Sequence, residues 1–212
     1  MHEETLTRTV EGADTSQAPA RTSERARAAA RYVFEFERLD HQVSREQPAW
    51  LAEARRAAIT RFNELGFPTT RQEAWRFTSV APLVERATAL ATDGLSSIGR
   101  DFVPRLTLEG VSGLLVLVNG RFVPQLSSLA GLPAGMVVSS LKAALRSRAD
   151  LMEPHLTRVA SGHNHPFTEL NTAFLDDGAF VWIPAHTVLA APIQLLFVST
   201  GQSDTTSVSH PR

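Results

Sequence analysis

The feature that most constrains the fold is a dipeptide placed between two β-prone runs. Residues 114–118 and 121–123 flank Asn119-Gly120. A two-residue type I′ turn needs positive φ at both central positions, which Asn tolerates and Gly adopts freely. The sequence therefore predicts a tight β-hairpin near 114–123. The preceding residues 102–108 are expected to add a third strand.

Helical periodicity dominates the chain before this hairpin. Between residues 23 and 46, apolar side chains recur at spacings of three and four, as one face of an α-helix requires. A second helix should begin near Pro48, whose missing N–H costs nothing in a first turn, and stop before Gly66 and Pro68. Because the connection is short, the two helices are predicted to pack antiparallel. The stripe of the first helix consists of Tyr32, Phe36, Leu39 and Val43.

Several shorter elements are expected after the helical pair. A short helix should follow Pro82, and residues 88–99 lack periodicity and are interpreted as a surface loop. Ser140 is a candidate N-cap for another short helix, and the apolar set within 151–159 predicts a further packing helix. A last helix should open at Pro166 and end with Gly178 as its C-cap.

Beyond Gly178 the apolar residues form short consecutive runs at 179–183, 187–189 and 193–198. These runs are interpreted as strands. Their connections are too short for a crossover helix, and no hairpin dipeptide separates them. Short strands joined by tight corners favour a β-solenoid or a sandwich.

Composition excludes several classes of function. The 21 basic and 22 acidic residues give a net charge of -1, so no excess of one sign is available for nucleic acid. Cysteine is absent, which excludes disulfides and any thiolate ligand from these residues. Residues 1–21 are expected to form a disordered tail. The sequence has no run of about 18 apolar residues, so it predicts no membrane-spanning helix. The absence of cysteine from the sequence is compatible with an intracellular protein.

Histidine supplies the one grouping that suggests metal chemistry. His155, His163 and His165 lie near Asp176 and Asp177 in sequence, a composition that zinc or iron sites use. Metal-binding helices usually offer histidines four residues apart, whereas these are expected on a helix end and a loop. We therefore interpret them as solvent-facing and expect no metal to bind. No nucleophile elbow or phosphate-binding loop occurs in the sequence.

One aromatic and cationic segment has two interpretations. Glu73, Trp75, Arg76 and Phe77 could form a recognition patch, since Trp and Arg are frequent at interface hot spots. The favoured interpretation is structural, with both aromatic rings pinning an extended segment onto the helices. Asn171 is likewise expected to be a buried amide that satisfies loop backbone groups.

A series of stretches resembles one family in order and spacing, the SufD family, which is related to SufB. The matching stretches are Leu65-Gly66-Phe67-Pro68, Glu73-Ala74-Trp75-Arg76-Phe77-Thr78, Val118-Asn119-Gly120-Arg121-Phe122, LAGLPAG at 129–135, Pro166-Phe167, Leu170-Asn171-Thr172-Ala173-Phe174, Asp177-Gly178, Pro184 and Pro192-Ile193-Gln194-Leu195. Together they extend from about Pro48 to Thr200.

The resemblance implies an α+β protein, with a helical N-terminal domain and hairpin over residues 22–177. Residues 178–212 would then begin a right-handed parallel β-helix that is cut off before its end. It also implies a cytoplasmic, non-enzymatic scaffold of the Suf complex, whose partners are a SufB-like subunit and a SufC-like ATPase. An iron–sulfur cluster would sit transiently on the full complex.

For this family, the residues proposed to contact the cluster correspond to positions after Arg212. No catalytic, cofactor-binding or metal-binding residue is therefore assigned here. The alternatives are a β-helix carbohydrate-active enzyme and a metal-binding module built on the three histidines. Against the enzyme, residues 179–198 contain no Asp, Glu, Lys or Arg that could act on a sugar.

Overall fold

The computed structural model describes residues 17–85, 88–91, 98, 101–159, 165–200 and 206–208. Its helices are α1 (Gln17–Val43), α2 (Ala49–Leu65), α3 (Ala81–Glu85), α4 (Phe102–Leu106), α5 (Leu141–Ser147), α6 (Ala149–Met152) and α7 (Pro166–Ala173). Its strands are β1 (Thr88–Leu90), β2 (Gly113–Val118), β3 (Arg121–Phe122), β4 (Val137–Ser140), β5 (Ala179–Trp182), β6 (Ile193–Val198) and β7 (Thr206–Val208).

The strands form three small sheets. β2 lies at the centre of one sheet, antiparallel to β3 on one side and parallel to β6 on the other. β4 pairs antiparallel with β5, and β1 pairs parallel with β7. Each of the later strands therefore pairs with a strand that is distant in sequence.

The predicted antiparallel helical pair is confirmed. Tyr32 of α1 contacts Phe62 of α2 with ring centroids 5.9 Å apart, while Asp40 contacts Arg55 at 3.3 Å, so positions advance in opposite directions along the two helices. All four residues of the predicted α1 stripe are buried. Burying apolar side chains of this size contributes about 1.5–3 kcal/mol each.

Aromatic rings fill the centre of this helical core. Tyr32 meets Phe62, Phe67 and Phe174 edge-on, and Phe62 meets Phe67 with ring centroids 5.3 Å apart. Edge-to-face pairs of this kind contribute roughly 0.5–1.5 kcal/mol beyond their buried area. α7 is thereby packed into the same core as α1 and α2.

The predicted hairpin is also confirmed, with φ of 50° at Asn119 and 82° at Gly120. Asn119 has a second role that the turn signal did not reveal. Its side-chain oxygen accepts a hydrogen bond from the Thr200 N–H at 2.9 Å, and its side-chain nitrogen donates to the Thr200 hydroxyl at 2.8 Å. The hairpin turn therefore holds the chain where it leaves β6.

α5 begins at the predicted cap, where the Ser140 hydroxyl accepts a hydrogen bond from the Ala143 N–H at 3.0 Å. Asp177 supplies a second acceptor for the backbone N–H groups at the start of α5. Its two carboxylate oxygens accept from the Lys142 N–H and the Phe122 N–H, both at 3.0 Å. One side chain thus joins the first turn of α5 to the hairpin strand β3.

The prediction of a third strand at 102–108 is wrong, because residues Phe102–Leu106 form the helix α4. Pro104 explains the difference. In the first turn of a helix its missing N–H is not needed, whereas a strand would lose a ladder hydrogen bond there. The following residues reach the sheet differently: the Gln194 side chain accepts from the Leu108 N–H and donates to the Leu106 carbonyl oxygen.

Other predictions after residue 85 need correction. The loop expected at 88–99 contains β1, whose parallel partner β7 is more than a hundred residues away. Residues 187–189 are not a strand but follow a turn in which His186 has a φ of 62°.

Two predicted helix ends are also wrong. α7 ends at Ala173, and Gly178 instead offers its carbonyl oxygen to the Leu141 N–H. The packing helix expected over 151–159 is helical only through Met152, and Val159 is exposed.

The mixture of helices and small sheets agrees with the expected α+β class. Parallel pairing of β6 with β2 is compatible with a solenoid, whereas β5 pairs antiparallel, so the β-helix and its boundary at residue 178 stay predictions. In the described part of the chain, no helix combines the length and the apolar character that crossing a bilayer requires.

We expect Gly120→Val to destabilise the protein by about 1–2 kcal/mol, because a β-branched residue is strained at a positive φ. Urea denaturation followed by circular dichroism measures this change. Gly120→Asn is a useful comparison, because Asn tolerates a positive φ better than a β-branched residue does. An unchanged midpoint for Gly120→Val would contradict the importance of the turn.

Candidate functional site

Arg55 is the most deeply buried charged residue of the helical core, with no exposed surface. Its Nε donates to the Ala173 carbonyl oxygen at 2.9 Å, and its Nη1 donates to Gln47 at 3.1 Å and Asp40 at 3.3 Å. The guanidinium also lies 5.4 Å from the centroid of the Phe36 ring. One side chain therefore connects α2 with the last turns of α1 and α7.

Burial and the surrounding charged groups shift the pKa values of Arg55 and Asp40. Burial lowers the pKa of Arg55, although the nearby carboxylates of Asp40 and Asp176 oppose that effect. Burial alone would raise the pKa of Asp40, but hydrogen bonds from Ser44 and Arg56, with the two arginine charges, hold that pKa below its ordinary value. The group is thus an ion pair at neutral pH, and its polar atoms serve packing.

A buried carboxylate, that of Glu169 on α7, pairs with Arg61 of α2 at 2.9 Å. The Glu169 side chain is almost fully buried, whereas that of Arg61 reaches solvent. This pair ties α7 to α2 about one helical turn before the Ala173 carbonyl oxygen that Arg55 contacts. Taking a carboxylate out of water is costly unless a cation accompanies it, which explains the pairing.

The structure separates the residues that suggested a metal site. His155 and His165 are both exposed, and His163 lies outside the described residues. Asp176 interacts with Lys142 at 3.3 Å and Arg121 at 3.6 Å instead of with a histidine. Among the residues that the structure describes, no three His, Cys, Asp or Glu side chains come together to hold a metal ion. That no metal binds stays a prediction.

The remaining polar candidates do not assemble a reacting centre in the described part of the chain. Asn171 is half-buried, not buried as expected. Ser161, which has no nucleophile-elbow sequence around it, lies with Gly162 and His163 outside the described residues. An open groove of about 1020 Å³ beside α4 is lined largely by apolar side chains, including Val103, Leu108 and Leu126. Such a lining suits packing or binding more than bond breaking.

The aromatic and cationic segment forms a compact turn. Residues Glu73–Trp75 are a short 3₁₀ helix, not the extended segment that was expected. Trp75 is half-buried and packs on Phe167 with ring centroids 5.3 Å apart, as the structural interpretation predicts. Phe77 does the opposite, since 92% of its surface is exposed. The two aromatic residues, expected to act alike, therefore have different roles.

A second exposed apolar surface follows the edge strand β6. Leu195 and Phe197 lie beside Leu115 and Leu117 in the parallel register and on the same face of the sheet. The two β2 side chains are fully buried, whereas Leu195 is 39% and Phe197 49% exposed. Within the described residues no strand pairs with the outer edge of β6. An apolar edge strand of this kind is a template for a further strand.

Comparison with known proteins gives a consistent result. A family model described as the SufBD protein N-terminal region matches residues 26–195. An iron–sulfur cluster assembly SufBD family protein of Synechocystis is 32% identical over 158 residues, covering 74% of this chain and 34% of that protein. The iron–sulfur cluster assembly protein SufD of Bacillus subtilis is 24% identical over 170 residues, covering 78% of this chain and 38% of that protein.

A chloroplastic SufBD family protein of Arabidopsis thaliana is similar over a shorter stretch. It is 32% identical over 79 residues, which cover 35% of this chain and 14% of that protein. The chain spans roughly a third of the length of the Synechocystis and Bacillus relatives. The region that the family model matches extends from α1 into β6, so it includes Phe77 and Leu195 and ends before Phe197.

We expect Arg55→Met to destabilise the protein by about 3 kcal/mol, because it removes the donor to the buried Ala173 carbonyl oxygen, to Gln47 and to Asp40. Arg56→Met is a matched control, since Arg56 contacts the same Asp40 at 3.0 Å but is largely exposed. Its loss should cost less than about 1 kcal/mol. Urea denaturation of both variants measures the difference, and equal losses would contradict a special role for the buried guanidinium.

Proposed function

The chain belongs to the SufBD family through the N-terminal region of that family, and we propose that it serves as a non-enzymatic scaffold subunit in iron–sulfur cluster assembly. The family match over residues 26–195 carries this proposal. The names of the Synechocystis and Bacillus relatives refer to the same process.

The use of polar side chains in the fold supports a scaffold. Arg55, Asp40, Glu169 and Asp177 each join separate elements through hydrogen bonds or ion pairs. The structure thus uses these polar side chains to hold elements together. The described surface also offers a partner apolar side chains, in particular Leu195 and Phe197 on the edge strand β6.

We propose that β6 is the edge at which a further parallel strand adds, as the β-helix expected for this family requires. The added strand would satisfy backbone groups along the outer edge and cover the exposed side chains of Leu195 and Phe197. Pairing with a SufB-like subunit and with a SufC-like ATPase, in a cytoplasmic complex, completes the proposal. One relative is named as chloroplastic, so the location has its own test by fluorescence microscopy of a tagged protein.

The iron–sulfur cluster is the cargo of the proposed complex. The sequence contains no cysteine, so thiolate ligands for a cluster would come from outside these residues. The proposed contribution of these residues is to hold other subunits in place. Within the described residues, no contact supports a carbohydrate-active enzyme or a histidine metal site.

Co-expression with the SufB-like and SufC-like proteins of the same organism tests the proposal. A tag on this chain should co-purify both proteins, and native mass spectrometry should give one defined stoichiometry. Leu195→Lys with Phe197→Lys should weaken binding of the SufB-like subunit about tenfold or more, because charges then replace the apolar edge.

Val159→Lys is the matched control, since Val159 is 81% exposed and lies outside the sheet. This variant should bind like the wild type. Failure of the wild-type chain to bind either protein would overturn the scaffold proposal. Normal binding by the double lysine variant would overturn only the role of β6 and would leave the scaffold proposal standing.

A further inference from the structure

The turn that carries Phe77 is built to hold this side chain in solvent. Backbone hydrogen bonds close the turn from the Gln72 N–H to Thr69, from the Trp75 N–H to Gln72 and from the Thr78 N–H to Trp75. These bonds fix the backbone on both sides of Phe77. A ring that is 92% exposed is thus presented without the entropy cost of ordering a flexible loop.

Trp75 fastens this turn to the helical core. Its ring packs on Phe167, which in turn lies 6.1 Å from Phe67, measured between ring centroids. The turn therefore rests on the aromatic core shared by α1, α2 and α7. Because its support is packed, the position of Phe77 relative to the domain is defined before any partner arrives.

The charged residues of the turn carry a net positive charge, and one of its cations lies against Phe77. The Arg76 guanidinium lies 5.4 Å from the centroid of the Phe77 ring, and Arg71 is exposed nearby in sequence. Glu73 approaches Arg76 only to 3.9 Å, with both side chains largely in solvent, so their ion pair is weak. Residues 71–78 contain two arginines and one glutamate, and one of the arginines, Arg76, lies against the Phe77 ring.

We propose that the turn over residues 71–78 is a docking site for a partner protein whose surface has an apolar pocket rimmed by carboxylates. Phe77 would enter the pocket, and Arg71 and Arg76 would face the acidic rim. Phe, Trp and Arg on a rigid support are the residue types and the geometry that interface hot spots use. A net excess of one charge is too small for binding nucleic acid, which needs several cations.

This docking site goes beyond the proposed scaffold function and is separate from the β6 edge. The turn rests on the helical core, whereas β6 belongs to the core formed with β2 and α4. Their chemistry also differs, because residues 179–198 carry no Asp, Glu, Lys or Arg. Variants of the turn should therefore leave co-purification with the SufB-like and SufC-like proteins unchanged.

Site-specific photo-cross-linking identifies the partner. A cross-linking phenylalanine analogue is placed at position 77 in cells that make the chain together with its subunits. The control places the analogue at position 188, because Val188 is 88% exposed on a loop that lacks the arginines. We expect one protein to cross-link at position 77 and not at position 188, within an apolar pocket bordered by Asp or Glu.

Direct binding of that purified protein then decides the proposal. Phe77→Ser should weaken binding about 30-fold, as the loss of a hot-spot side chain does. Arg76→Glu should weaken it about tenfold, and binding of the wild type should fall as salt is raised. Val188→Ser should bind within about twofold of the wild type. Because Phe77 is exposed, all these variants should keep the wild-type unfolding midpoint.

Each contrary outcome overturns the inference. Equal binding by Phe77→Ser, cross-links spread over many proteins, or no cross-link at all would mean that the turn docks nothing. Cross-linking to a second copy of this chain would assign the turn to self-association. Phe77-dependent sedimentation with phosphatidylglycerol vesicles would assign it to a membrane surface. Loss of the SufB-like or SufC-like subunit from Phe77→Ser would assign the turn to subunit docking.

Discussion

The helical part of the protein depends on a buried cation. Taking a guanidinium out of water costs several kcal/mol, and this cost is offset only when its donors meet acceptors in good geometry. Arg55 obtains those acceptors from Asp40, Gln47 and the Ala173 carbonyl oxygen, which lie on separate elements. The ends of α1 and α7 must therefore arrive together at α2, because a shift of either helix would leave a donor of the buried guanidinium without its acceptor.

Polar side chains also connect the helices to the sheets, where regular pairing is short. Asn119 bridges the hairpin to the end of β6, and Asp177 bridges the hairpin to α5. Gln194 does the same for the chain after α4 by pairing with its backbone. Each of these side chains makes a hydrogen bond with a backbone group that has no partner strand or helix turn to pair with. This explains how strands of two to six residues can be held in defined positions.

Sequence reasoning succeeded where a few neighbouring residues determine the outcome. Asn119-Gly120 specifies its turn through backbone conformation, and Ser140 specifies a cap through one hydroxyl. It failed where a distant partner decides, as for β1, which pairs with β7. The candidate surfaces follow the same division. Trp75 could be assigned to packing, but the exposure of Phe77 could not, because burial depends on which parts of the chain reach that position.

The parallel pairing of β2 with β6 has a consequence for the order in which the protein folds. Gly113 pairs with Ile193, so about 80 residues separate the partners, and contacts of such long range form slowly. On the ribosome, the β2–β3 hairpin emerges well before β6 is synthesised. During that interval one edge of the buried strand β2 has no partner, and its leucines and valines are open to other nascent chains. Translation speed and chaperone access over this stretch should therefore change the yield of folded protein. They should have less effect on the stability of the protein once it has folded.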